Sequence, residues 1–181
     1  GEMLKAYKYR IYPTKEQEQL FLQANGLCRL YWNTALTRKQ KAYEKGEKWN
    51  IGSAKKVFEE CRPEALEWMK NIDSTILAAE WSNITNTFSN FFNSCSGKRK
   101  GKFIQPPKFK SRKTSKVSFS FTTQNTPSFR KGRLFLTRKI GLLDGTFHRF
   151  AEGKLKHATI SQTKTGKWFV SSVSYLQCKA C

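Results

Sequence analysis

The apolar residues of this chain keep two different periods, and the strand-like run that opens the sequence is cut off from the others of its kind. Leu4 to Tyr12 is rich in aromatics and alternates as a strand does, until Pro13 stops it. Apolar residues then follow helical spacing up to position 93, and a period of two returns only at Val117. A lone strand is not stable in water, so Leu4 to Tyr12 has to pair with strands far along the chain. The economical solution is an α+β fold: a β-barrel that includes Leu4 to Tyr12, with a helical bundle inserted after that first strand.

Local signals fill in this outline. In the first run Lys5, Lys8 and Arg10 are interleaved with tyrosines; Lys8 and Arg10 have the opposite parity to Tyr7 and Tyr9, which predicts an outward cationic face. Thr14 with Gln17 forms a capping box that starts a helix. Leu20, Phe21, Ala24, Leu27, Cys28, Tyr31, Ala35 and Leu36 carry it forward, with Gly26 predicted to bend or break it. A polar loop around Gly46 and Gly52 precedes short helical turns at Ser53 and Pro63. Asp73-Ser74 caps a further helix whose Leu77, Trp81, Ile84, Phe88 and Phe91 share a face, so that Trp81, Phe88, Phe91 and Phe92 read as core rather than as a stacking platform. Strands are predicted at Val117 to Thr123, Arg133 to Arg138, Thr146 to Phe150, Leu155 to Thr163 and Lys167 to Tyr175, the last two joined by a Lys164-Thr165-Gly166 turn.

Charge says what such a fold would meet. From Trp81 to Leu143 the chain runs for 63 residues without Asp or Glu while carrying 14 Lys and Arg, and the whole chain has a net charge of +21. Basic side chains near phosphates release condensed counterions, so charge this segregated points to a polyanion. Its densest part is the Gly-, Ser- and Pro-containing segment Ser94 to Lys116, predicted to be a loop that becomes ordered on a partner. Lys98, Arg99, Lys100, Lys102, Lys108, Lys110, Arg112, Lys113 and Lys116 are candidate phosphate contacts, together with Lys8 and Arg10. Phe109, or Phe103, could stack on a base. A merely solvated loop is the competing reading, but such a loop has no reason to exclude acids.

Other classes find little support. No apolar run approaches the roughly 20 residues needed to span a bilayer, and a cytoplasmic, membrane-free setting is expected. Five cysteines at irregular spacing do not form a disulfide framework. Cys178 and Cys181 form a C-x-x-C pair without a second pair to complete a zinc site, and the isolated His148 and His157 suggest no nucleophilic triad.

Several segments, in order and spacing, resemble the insertion-sequence-encoded TnpB family of RNA-guided DNA nucleases, relatives of the type V CRISPR effectors. They are Lys5-Ala6-Tyr7-Lys8-Tyr9-Arg10-Ile11-Tyr12-Pro13; Cys28-Arg29 with Tyr31, Asn33, Ala35 and Leu36; Asp73-Ser74; Phe88-Ser89-Asn90-Phe91-Phe92; Pro107-Lys108-Phe109-Lys110-Ser111; Lys139-Ile140-Gly141; Glu152-Gly153-Lys154; Ala158-Thr159-Ile160-Ser161; and Gly166-Lys167-Trp168. The resemblance implies an oligonucleotide-binding-like wedge barrel (residues 1–13 and 117–181), a helical recognition lobe (14–95) and a basic linker (96–116). It implies guide RNA and a double-stranded DNA target as partners. Asn50, Ser74, Thr75, Ala78 and Thr122 become candidate readers of a target-adjacent motif. Cutting in that family belongs to a RuvC domain with metal-binding carboxylates that have no counterparts here, so no catalytic residue and no metal site is expected in this chain. Magnesium is expected only with the missing nuclease domain, and the resemblance adds a RuvC-bearing polypeptide to the candidate partners. A nuclease-free DNA-binding regulator is the alternative function.

Overall fold

A computed structural model describes residues 2–48, 71–122, 128–147 and 154–177. Strand β1 (Glu2–Tyr12) leads into α1 (Lys15–Glu44), and α2 (Ser74–Cys95) precedes β2 (Ser118–Thr122), β3 (Ser128–Arg130), β4 (Arg133–Phe135), β5 (Leu142–Thr146), β6 (Lys154–Gln162) and β7 (Trp168–Gln177). The strands form one antiparallel sheet in the order β2-β6-β7-β1-β5-β4-β3. The chain's first strand thus lies in the middle, between β7 and β5, as its isolation in the sequence requires. β2 and β3 stand at the two edges. The asserted turns at Ser53 and Pro63 fall outside the described residues, as do Asn50 and the Cys178–Cys181 pair.

Alternation along the strands separates two faces. Tyr9, Ile11, Phe119, Phe121, Leu143, Ala158, Ile160, Trp168 and Val170 are buried on the inner one. The N-terminal half of α1 packs there, with Phe21 5.7 Å from the Phe119 ring and 5.4 Å from Trp168. Ile72 and Ile76, at the start of α2, join the same core. Farther along, Trp32, Ala35 and Leu36 of α1 meet Ile84 and Phe88 of α2 in a second cluster. The contacts advance together along both helices, so α1 and α2 run side by side in the same direction.

Four expectations are revised. Gly26 does not break α1, which runs unbroken over 30 residues; the burial of Phe21, Ala24, Leu27 and Cys28 on either side outweighs the roughly 1 kcal/mol that glycine costs a helix. A strand is predicted at Thr146 to Phe150, of which residues 148–150 lie outside the described residues; the strand described here is β5, Leu142–Thr146, and β3 is an addition to the predicted strands. Asp144 and Gly145 hide β5 from a propensity reading, yet glycine is required there: a Cβ at 145 would lie 2.6 Å from Phe147 Cζ and 2.7 Å from the Arg10 carbonyl oxygen. Of the aromatic row on α2, Phe88 is buried, Trp81 and Phe91 are half-buried, and Phe92 is exposed. The basic segment also departs from the reading of it as a loop that awaits a partner: it is moored along α1.

Candidate nucleic-acid interface

The mooring uses backbone groups, which leaves the cationic side chains largely free. Trp32 Nε1 donates to the Lys108 carbonyl at 2.7 Å. The Asn33 amide donates to the Lys110 carbonyl and accepts from the Lys110 N–H, both at 2.8 Å. Ser94 Oγ accepts from Ile104 N–H at 2.9 Å near the start of the strap. Near its end, Ser111 and Thr114 close a turn, and Ser118 N–H donates to Asn25 Oδ1 at 3.1 Å. Each is a backbone group that α1, α2 or the turn satisfies.

This divides the basic residues into three sets. Lys98, Arg99, Lys100 and Lys102 are exposed where α2 passes into the strap. Lys108 and Phe109 are exposed midway, whereas Lys110 turns in, its ammonium 4.0 Å over the Trp32 ring. Arg112, Lys113 and Lys116 surround the closing turn, and there the strap reaches the outer face of the sheet.

On that outer face the parity expected of β1 is what the structure shows. Lys8 is exposed with its ammonium 4.7 Å over the Phe169 ring of β7, while the Arg10 guanidinium lies 5.6 Å from the same ring and 5.2 Å from Tyr12. Cation and aromatic alternate because Arg10 and Phe169 are register partners across β1 and β7. Arg10 Nε is buried without a hydrogen-bond partner, and Tyr12 is 52% exposed.

A groove of about 780 Å³ joins this face to the strap, between Lys8 and Phe169, the strap's end at Lys113 and Lys116, and Lys164 of the β6–β7 hairpin. Hydroxyls of Thr114, Ser118, Ser161 and Thr163 fill the intervals, and among the described residues no acid lines it. Four ammonium groups, hydroxyl donors and an aromatic ring constitute the donor set that a nucleic-acid backbone and an unpaired base require. Lys164 and Phe169 were missed in the sequence, where nothing marks a turn lysine as lying beside residues some fifty positions earlier.

Residues 3–48 match a family model described as a helix-turn-helix domain, HTH_OrfB_IS605, although here that stretch is a strand followed by one continuous helix. Two relatives bear the name "Putative RNA-guided DNA endonuclease". One, from Streptomyces pristinaespiralis, is 30% identical over 175 residues, which is 94% of this chain and 41% of the relative. The other, InsQ of Escherichia coli (strain K12), is 28% identical over 170 residues, 93% of this chain and 40% of the relative. These matches support a TnpB family assignment. The chain spans about two-fifths of the length of the TnpB relatives it matches.

The motif readers that TnpB resemblance implies are placed as follows. Asp73 caps α2, accepting from Thr75 N–H and from Thr75 Oγ1, both at 3.0 Å, so the Thr75 hydroxyl is already engaged. Ser74 and Ala78, one turn apart, share an exposed face. Thr122 ends β2, opposite His157 of β6. Asn50 lies outside the described residues.

Proposed function

We propose that this chain is the nucleic-acid-binding part of a TnpB-type RNA-guided DNA endonuclease, holding guide RNA and reading a short motif beside the DNA target, and that it does not cut by itself. The acid-free groove around Lys8, Lys113, Lys116, Lys164 and Phe169 carries this reading. In it the sheet is the wedge, completed as a barrel, and α1 and α2 belong to the recognition lobe. Guide RNA runs along the groove and strap, and the exposed Ser74 and Ala78 face the DNA duplex.

Cleavage in this reading is left to a RuvC half supplied in the same or another polypeptide, with magnesium bound there. In support of this reading, Asp144, one of the two acids that follow Glu80, is paired with Arg133 at 2.9 Å, whereas two-metal cleavage needs acids clustered around the ions.

The test is incubation of the purified chain with guide RNA, motif-bearing DNA and magnesium. Binding without cleavage is expected, and adding a RuvC-bearing polypeptide should restore cutting; cleavage by the chain alone would overturn the proposal. If about 6–10 phosphates are engaged, affinity should fall about 10³- to 10⁵-fold between 50 and 200 mM salt. Sequencing of co-purifying RNA separates this reading from a DNA-only regulator, for which no structured RNA would be enriched.

A further inference from the structure

Beneath the strap, sharing Ser115, Lys116 and Ser118 with the groove, lies a second cleft of about 420 Å³. Its walls come from four elements: Asn25, Cys28 and Arg29 of α1; Glu80 and Asn83 of α2; Lys110 and Lys116 of the strap; and β2. Among the described residues Glu80 is the only acid in it, and it is the last acid in the sequence before the 63-residue basic run.

Retaining a carboxylate there is costly. Burial pushes the Glu80 carboxyl up to about 7, and the Lys110 charge and a hydrogen bond from Asn83 only partly offset this. Burial also raises the Cys28 thiol, which therefore stays neutral and serves as apolar wall. Lys110 is seated over Trp32, so Glu80 is not needed to neutralise it in place. A half-buried carboxylate with spare acceptor capacity, beside carboxamides and under a cationic rim, is a recognition arrangement rather than a packing one.

The chemistry selects a ligand. The two oxygens of a carboxylate accept from two adjacent N–H donors, and among the bases guanine offers such a pair in N1–H and the N2 amino group. Uracil would set carbonyl oxygens beside the carboxylate on either side of its single N–H. Arg29 and the carboxamides can donate to the guanine O6 and N7 acceptors, and Arg29 with Lys116 can meet the flanking phosphates. Unpaired bases splayed from a single strand are commonly read on this edge.

We infer that this cleft receives one unpaired guanine of the nucleic acid that the neighbouring groove holds. The inference rests on the reading of the groove given above and adds a base-specific subsite to it.

Fluorescence anisotropy at fixed salt, with the full chain and single-stranded uridine RNAs carrying one central guanosine, inosine, cytidine or adenosine, tests it. Guanosine should tighten binding about ten- to a hundredfold over the all-uridine strand, and inosine, which lacks the N2 amino group, should lose most of that gain. Glu80→Gln should collapse the guanosine-to-uridine ratio measured within that variant, a quantity that a general folding or charge defect does not create. Ala79 also lines the cleft, and Ala79→Leu, which narrows it without altering charge, should collapse the ratio too. Equal affinity for guanosine, inosine and uridine strands, with salt-dependent binding intact, would overturn the subsite and leave the groove standing. No binding of any strand would overturn both.

Discussion

Asn33 holds Lys110 as a neighbouring strand would: its side-chain amide donates to the Lys110 carbonyl and accepts from the Lys110 N–H, each at 2.8 Å. A single carboxamide on a helix thus supplies both backbone partners of an extended residue. With Trp32 donating to the Lys108 carbonyl, it fixes the middle of the strap.

Asn33→Ala should therefore leave both Lys110 backbone groups unpaired and destabilise the fold by about 1–3 kcal/mol. Urea denaturation measures the loss, and limited trypsin digestion should cut faster around Lys108 to Lys113. An unchanged cleavage rate would show that the strap is held elsewhere.

Removing a groove lysine should weaken binding through charge rather than sequence. Lys113→Gln and Lys164→Gln should each reduce the slope of log affinity against log salt by about 1, with similar losses for unrelated strands. A loss confined to one base sequence would contradict the assignment of these residues to phosphates.

Glu80 makes stability depend on pH. Its folded value, about 7, lies above the ordinary 4.5 of a free carboxyl, so the folded state holds the proton more tightly than the unfolded one. Stability should fall as pH rises from about 4.5 to about 7 and stay lowered above that, by on the order of 3 kcal/mol at most. Lys110 of the strap is the charge that acts on it; the other charged residues lining the cleft, among those described, are Arg29 of α1 and Lys116 of the strap, and β2 contributes none. Glu80→Gln should accordingly be more stable than the parent at pH 8 and no more stable below pH 4.5. Denaturation at both pH values reads this directly, and an equal gain at both would place its effect elsewhere than in ionisation.

Gly145 of β5 is the register partner of Ile11 in β1. Gly145→Ala brings a methyl against the Arg10 carbonyl and the Phe147 ring and should cost about 1–3 kcal/mol, measured by chemical denaturation. Adding Phe147→Leu should recover part of the loss if the ring is the main obstacle, whereas no recovery would locate it in the backbone of β1.

Much of this fold was legible from local rules. The Thr14–Gln17 capping box forms with both of its hydrogen bonds, and Asp73 caps α2. The parity of Lys8 and Arg10 against Tyr9 survives because a strand's faces alternate whatever its partners. Elements that depart from propensity were not legible: β5 contains Asp144 and Gly145, and its place is set by the close passage of β1 and Phe147. Gly26 misled for the converse reason, since packing on both sides of it overrode a local cost.

The candidate interface divides along the same line. The sequence by itself determined that one stretch is basic, that acids are excluded from it, and that β1 carries cations on one face, because composition and period need no partner. Only the tertiary structure decided which cations act together. Chain reversals bring Lys8, Lys113, Lys116 and Lys164 around Phe169, remove Lys110 to the Trp32 ring, and enclose Glu80 under the strap. Long-range pairing of β1 with β7 and of the strap with α1 sets those distances, and a linear pattern of charge contains no information about them.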